Sequence, residues 1–178
     1  LKRFYTGSAY NYIRHKTYLQ LADICIAPSE ELKITTEGRT TVPVKKIPNG
    51  VDTTAFSPEG DEISVDEIDQ DNFIVLTTRR FESKNGMKYL AQAIPETQSN
   101  ISYVLVGDGT ERKRIKHNIS RQNQSNRVYM PGEIEHKEIS KYYRMADVTV
   151  MPSLKEAISI SALESLATGT PIIGTNVG

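Results

Sequence analysis

Net charge, cysteine and long apolar runs are what this 178-residue chain has least of, and each shortage narrows its function. The 22 Lys and Arg are balanced by 22 Asp and Glu. A protein that coats nucleic acid needs a basic surplus to release counterions, so no nucleic-acid partner is expected, although a local basic pocket is compatible with neutrality. The single cysteine, Cys25, sits in the apolar stretch from Leu21 to Ala27. One thiol forms neither an internal disulfide nor a cysteine zinc cluster, and a cytosolic setting is expected. Cys25 reads either as a nucleophile or as a small buried apolar residue, the commoner fate of a free thiol. No apolar run approaches the roughly 18 to 20 residues that span a bilayer.

What is present fits one domain of ordinary size and part of a second. Apolar residues make up 38% and charged residues 25% of the chain, a balance that favours a packed globular fold over disorder. The chain begins at Leu1 and stops at Gly178 just after a strand-like run, and it is expected to be a piece of a longer protein.

Residues 2 to 19 carry Phe4, Tyr5, Tyr12, Ile13 and Leu19 at mixed helical spacing and predict a helix, with Gly7 as its weak point. Ile24 to Ala27 predicts a buried strand closed by Pro28-Ser29, and Ser29 is placed to cap a short helix from Glu30 to about Thr36. Val44 to Ile47 is another short strand running into the turn Pro48-Asn49-Gly50. From Glu59 to Asp71 come seven acids and no base, the mark of a solvated, self-repelling stretch; a metal site is the alternative.

After Asp71 the pattern is regular. Strands are predicted at Phe73 to Leu76, Tyr103 to Val106, Val128 to Met130, Val148 to Met151 and Pro171 to Gly174. Helices are predicted between them, from Gly86 to Ala93, Thr110 to Gln122, Lys137 to Met145 and Ser161 to Ala167. Strands that are apolar without alternation, interleaved with helices, predict an α/β, doubly wound parallel sheet covered on both faces. Such a sheet binds ligands beyond the carboxyl ends of its strands.

The loops at those ends carry the chemistry. Arg79, Arg80 and Lys84 share the loop after the first strand, and Gly86 permits close backbone approach. Cations beside a helix N-terminus suit a diphosphate; a basic loop paired with the acidic stretch explains them equally. Gly107-Asp108-Gly109 follows the second strand, but Arg112 fills the place of the third glycine of a dinucleotide fingerprint, and an acid, Glu133, follows the next strand. The pattern suits a tight turn as well as a nucleotide. After the fourth strand come Glu156 on the loop and Glu164 in the opening turn of the helix, with seven residues between them. Backbone amides and the helix dipole would attract an anion there, and the carboxylates could grip hydroxyls of a sugar or ribose. For Glu164 a capping box, Ser161-x-x-Glu164, is an equally physical account; Glu156 has none.

Taken together these loops resemble the C-terminal, nucleotide-sugar-binding domain of the retaining, two-Rossmann-domain (GT-B) glycosyltransferases, the family of glycogen synthase-like and mannosyltransferase-like enzymes. The resemblance rests on Ala22 to Ser29, on Ile47 to Asp52 followed by Phe56 and Pro58, on Arg79-x4-Lys84, on Val106 to Gly109, on Tyr129 to Glu133, and on Pro152 through Glu156 to Glu164 with Ala167 to Pro171. It implies three regions: the end of an N-terminal acceptor domain over 1–42, an interdomain hinge and acidic linker over 43–71, and the donor domain over 72–178. The resemblance also implies roles. Arg79 and Lys84 would neutralise the departing diphosphate without any metal or other cofactor. Glu156 would face the donor sugar as the catalytic carboxylate, helped by the amides of Ala157, Ile158, Ser159 and Ile160. Gly107, Gly109 and Glu133 would contact the nucleotide, and Glu164 would hold the ribose. A hexosyl group would pass from a nucleoside-diphosphate sugar to a lipid-linked or polysaccharide acceptor with retention, the acceptor lying on the other domain. The intact protein would be cytoplasmic and could associate peripherally with a membrane.

This sequence departs from the family pattern at three places. Ser159 stands where many relatives have glycine, Asn85 separates Lys84 from Gly86, and Arg80 offers itself in place of Arg79 as the diphosphate ligand. A nucleotide-sugar epimerase and a non-catalytic nucleotide-binding module are the alternatives, and the spaced pair Glu156 and Glu164 favours the transferase. The strand Ile24 to Ala27, if its sheet is incomplete, is expected to pack on the rest of the chain, to pair with a second copy, or to be disordered.

Overall fold

A computed structural model describes residues 17–156 and 158–177. They fall into two compact units, one ending at Asn49 and the other running from Gly50 to Val177. The helix expected over 2–19 lies outside the described residues up to residue 16; residues 17–20 are helical.

In the first unit, β1 (Cys25–Ala27) pairs in parallel with β2 (Val44–Lys46), with Cys25 opposite Val44. Between them runs α1 (Glu30–Glu37). Its start is set as expected: the Ser29 hydroxyl accepts from the Leu32 amide, satisfying one of the free N–H groups of the first turn. Cys25 is buried as an apolar residue, while Ile24 and Ile26 beside it are exposed. Thus β1 does find a partner strand within the chain.

The second unit is a five-stranded parallel sheet in the order β5-β4-β3-β6-β7. Its strands are β3 (Phe73–Thr78), β4 (Ile101–Val106), β5 (Val128–Gly132), β6 (Val148–Met151) and β7 (Ile172–Gly174). The helices α2 (Met87–Ala93), α3 (Arg112–Arg121), α4 (Ile139–Met145) and α5 (Ile160–Ala167) link them in turn. The order turns back at β3, where β4 lies to one side and β6 to the other. That reversal opens a crevice above β3, the usual ligand position in a doubly wound sheet.

Alternate strand residues feed opposite cores, as the period of two requires. Ile74, Leu76, Val104 and Val106 pack with Tyr142, Tyr143 and Met145 of α4. Val75, Tyr103 and Leu105 pack instead with Met87 and Ala91 of α2 and Ile115 and Ile119 of α3. Both faces are therefore covered, which is why these strands read as apolar without alternation.

The acidic stretch behaves differently from a free linker. Its seven acids are exposed, but Val65 and Ile68 between them are buried, together with Phe56, in the core on the α4 face. Isolated apolar residues among charges anchor the segment to the sheet. Among the described residues no three His, Cys, Asp or Glu side chains gather as a metal ion would require.

Candidate functional site

Two loops meet above β3 because of one glycine. Gly86 has φ 69°, and a Cβ on it would lie 1.8 Å from the carbonyl oxygen of Pro152. No L side chain fits there. The loop after β3 therefore abuts the loop after β6, and the Leu154 amide donates to the Lys84 carbonyl at 2.8 Å. Gly107 does the same between β4 and β3: its φ is 131°, and a Cβ would lie 2.1 Å from the Arg79 carbonyl oxygen. Arg112, at the missing third glycine, secures this turn by donating to the carbonyls of Gly107 and Met130.

Two cavities open on these loops and share Thr78, Arg79, Arg80 and Ser161. The larger, about 450 Å³, is bounded by Gly107, Glu133, Ile134, His136, Ile160 and Glu164 as well. The smaller, about 300 Å³, is completed by Lys84, Asn85, Lys155 and Glu156. One end of the cleft is thus rich in apolar and carboxylate groups, and the other in cations.

Arg79 is the most constrained group of the cleft. Its guanidinium pairs with Glu156 and donates to Ser153 Oγ at 2.6 Å, to Ser159 Oγ at 2.9 Å and to Asn85 Oδ1 at 3.4 Å. Only 10% of its side chain is exposed, and its Nε is buried without a partner. Arg80, next in sequence, is exposed and borders both cavities. Lys84 is exposed on the rim of the smaller one.

Ser159, at the position where glycine was expected, has a structural reason. It is the N-cap of α5, accepting from the Ala162 amide at 3.3 Å, and the same oxygen accepts from Arg79. The capping box expected from Ser161 and Glu164 does not form. Ser161 instead donates to the Thr78 carbonyl, because the helix is capped two residues earlier, at Ser159, and Ser161 falls in its first turn with its hydroxyl toward β3.

Freed from capping, Glu164 faces the larger cavity. It is buried, with 8% of its side chain exposed. His136 Nε2 lies 2.7 Å from Oε1, and the Tyr143 hydroxyl donates to Oε2 at 3.3 Å. Tyr143 is in turn 2.6 Å from Thr78 Oγ1. Burial, first of all, pushes the Tyr143 phenol well above its ordinary range, and the neighbouring Glu164 carboxylate adds to the effect. The ring of Phe56 stands 5.2 Å from that of His136.

The protein-family model for glycosyl transferases group 1 matches residues 59–178. The chain belongs to this family. It is 28% identical over 159 residues to a phosphatidylinositol N-acetylglucosaminyltransferase subunit from Arabidopsis thaliana, covering 87% of this chain and 34% of that protein. It is 30% identical over 113 residues to an uncharacterized glycosyltransferase of Methanocaldococcus jannaschii, covering 62% of this chain and 29% of the relative. The chain thus spans about a third of the length of these curated relatives. Among solved structures, sucrose-phosphate synthase from Thermosynechococcus elongatus superposes with a TM-score of 0.82 at 27% identity, over 97% of this chain and 45% of the other. The HepE protein of Anabaena, solved in complex with UDP and glucose, has the same fold with a TM-score of 0.79 at 21% identity, over 97% of this chain and 50% of the other.

For this member of the glycosyl transferases group 1 family, the fold brings most of the expected site residues together. Arg79, Arg80, Lys84, Gly107, Glu133, Glu156, Ile160 and Glu164 all border one or both cavities. Gly109 borders neither of the two; it packs against the backbone of Phe81. Ile158 is half-buried, and Ser159 reaches the cleft through Arg79. Ala157 lies outside the described residues. Sequence reasoning missed His136, Tyr143, Thr78 and Ser153. Ser153 lies within the stretch from Pro152 to Glu164, but no pattern marks His136, Tyr143 or Thr78, and only the fold shows that His136 and Tyr143 converge on Glu164.

Proposed function

We propose that this chain carries the donor site of a glycosyltransferase that takes its sugar from a nucleoside diphosphate. The observation that carries the reading is the graded cleft above β3, with Glu133 and Glu164 among apolar residues at one end, Lys84 and Lys155 beside Glu156 at the other, and Thr78, Arg79, Arg80 and Ser161 common to both. The nucleoside would occupy the larger cavity. Ile134 and Ile160 offer apolar contact to a base, and the buried Glu164 offers acceptor oxygens to the ribose hydroxyls.

The diphosphate would lie across the shared residues, against Arg80 and Lys84. Both are exposed, and neither has an ion-pair partner among the described residues. Arg79, committed to four partners, would act chiefly by holding Glu156 at the sugar. Fixed cations at the departing diphosphate stabilise the charge that develops as the glycosidic bond breaks. No metal ion is required in this scheme. The transferred group would be a hexosyl unit, passed with retention through attack on the face that the diphosphate leaves. The acceptor, lipid-linked or polysaccharide, would be held by the other domain of the intact protein, with the protein cytoplasmic or peripheral to a membrane. A relative named as a UDP-N-acetylglucosamine–peptide N-acetylglucosaminyltransferase, and the HepE protein solved with UDP-glucose, support a sugar nucleotide as donor.

Ligand-observed NMR of this chain against UDP, GDP, ADP and NAD tests the site. One nucleoside diphosphate is expected to bind, with binding weakened in Lys84→Ala. Binding of NAD in preference to every diphosphate would overturn the reading.

A further inference from the structure

On the far side of the sheet from α4, a separate cavity of about 420 Å³ lies between α2 and α3. Its polar lining is Lys88, Gln92, Arg114, His117, Asn118 and Arg121, and no carboxylate among the described residues borders it. The concentration of charge is a property of α3, which reads Arg112-Lys113-Arg114-Ile115-Lys116-His117-Asn118-Ile119-Ser120-Arg121. It holds five Lys or Arg and no acid, and it packs on the sheet through Ile115 and Ile119.

Neutrality of the whole chain does not relieve this charge. The seven acids of residues 59–71 are anchored through Val65 and Ile68 to the opposite core. Exposed charges farther apart than a Debye length, about 10 Å at 0.1 M salt, are largely screened from one another. Among the described residues, only Arg114 of the cavity wall has a carboxylate partner, Glu111, at the start of its own helix. Lys88, His117 and Arg121 have no ion-pair partner among the described residues; the Lys88 ammonium stands 4.6 Å over the ring of Tyr89. A solvated basic face would scatter its cations. Here guanidinium forks, an ammonium, an imidazole and two amides border one concavity.

We propose that the α2–α3 cavity is a binding site for a phosphate-bearing anion, separate from the donor cleft and independent of what that cleft binds. Planar guanidinium groups and an ammonium together match the several oxygens of a phosphate group, which they hold by charge-assisted hydrogen bonds. The phosphate could be free in solution or borne on a lipid headgroup, since both present the same chemistry.

The test is a backbone-amide NMR titration of the 178-residue chain with inorganic phosphate, beside co-sedimentation with phosphatidylcholine vesicles with and without phosphatidic acid. The double variant Lys88→Gln/Arg121→Gln removes two exposed or half-buried cations, and an unchanged melting temperature shows that it folds. Saturable shifts in residues 88–92 and 113–121, weakened about tenfold in the variant, are expected for a soluble anion. Sedimentation that needs phosphatidic acid and is lost in the variant, without response to free phosphate, identifies the lipid-borne source. No response in either arm, or equal response of the variant, overturns the proposal.

Discussion

Glu156 and Glu164 border the same cleft with seven residues between them, yet the protein restrains them by opposite means. Glu156 lies on a loop, a quarter exposed, and its partner is a full positive charge on Arg79. Glu164 lies on α5, buried, and its partners are an imidazole and a phenol. The loop carboxylate is held by an ion pair whose cation is itself fixed by Ser153, Ser159 and Asn85. The helix carboxylate is held by a chain of hydrogen bonds from Thr78 through Tyr143. The first arrangement suits the sugar-facing role proposed for Glu156. The second suits the proposed ribose-binding role of Glu164 as a fixed acceptor of hydroxyl hydrogen bonds.

The contrast breaks most visibly at Glu156. In the intact protein, Glu156→Gln keeps the shape of the loop but removes the charge, and transfer is expected to fall by about 10² to 10³-fold. Nucleotide binding by this chain should be nearly unchanged. Steady-state kinetics beside an NMR titration separate the two, and a loss confined to binding would reverse the roles given to the two carboxylates.

Removal of the opposing charge comes next. Arg79→Met leaves Glu156 without its cation and three side chains without a donor, at a cost of about 2–3 kcal/mol in stability, less than for a fully buried pair because Glu156 is partly solvated. Calorimetry would show it as a lowered Tm. Arg80→Met, on an exposed side chain, should leave Tm unchanged and weaken diphosphate binding instead. If both substitutions acted alike, the distinction between a structural and a ligand-facing arginine would be lost.

Glu164→Gln should weaken nucleoside diphosphate binding by about tenfold, equivalent to about 1.4 kcal/mol, because one acceptor oxygen becomes a donor amide facing the ribose. Glu156→Gln provides the control in the same titration.

The sheet was legible because its strands are short apolar runs between turn residues, and the central ones, β3, β4 and β6, are buried on both faces. The cleft was legible as a set of loops, since chain order alone places them at the carboxyl ends. Hydrogen-bond partnership was not. Ser161-x-x-Glu164 has the spacing of a capping box, but the cap is Ser159, and only the start of α5 decides which hydroxyl points at the helix amides. His136 and Glu164 are 28 residues apart and meet because β5 and α5 flank one crevice. The neighbours Arg79 and Arg80 look equivalent as letters; in the fold the first is nearly buried among Ser153, Ser159 and Glu156 and the second is exposed. The acidic stretch hid its anchors for a related reason: Val65 and Ile68 are too few to show a period, yet each finds a place in the core.

The smallest effect sharpens the account of Glu164. Tyr143→Phe removes the hydroxyl that bridges Thr78 and Glu164, and at neutral pH it should cost about 1 kcal/mol, the net worth of a buried hydrogen bond. The sign of that cost changes with pH. Burial raises the Tyr143 phenol in the folded protein, so above about pH 10, where an exposed tyrosine ionises, the unfolded chain loses its proton first. The contribution of the neutral phenol is therefore complete below about pH 10 and declines as pH rises toward the folded value. Phenylalanine has no such proton to lose. Unfolding curves for the two proteins should converge as pH passes about 10 and cross above it; parallel curves would mean that the phenol reaches solvent and that Glu164 is held by His136 alone.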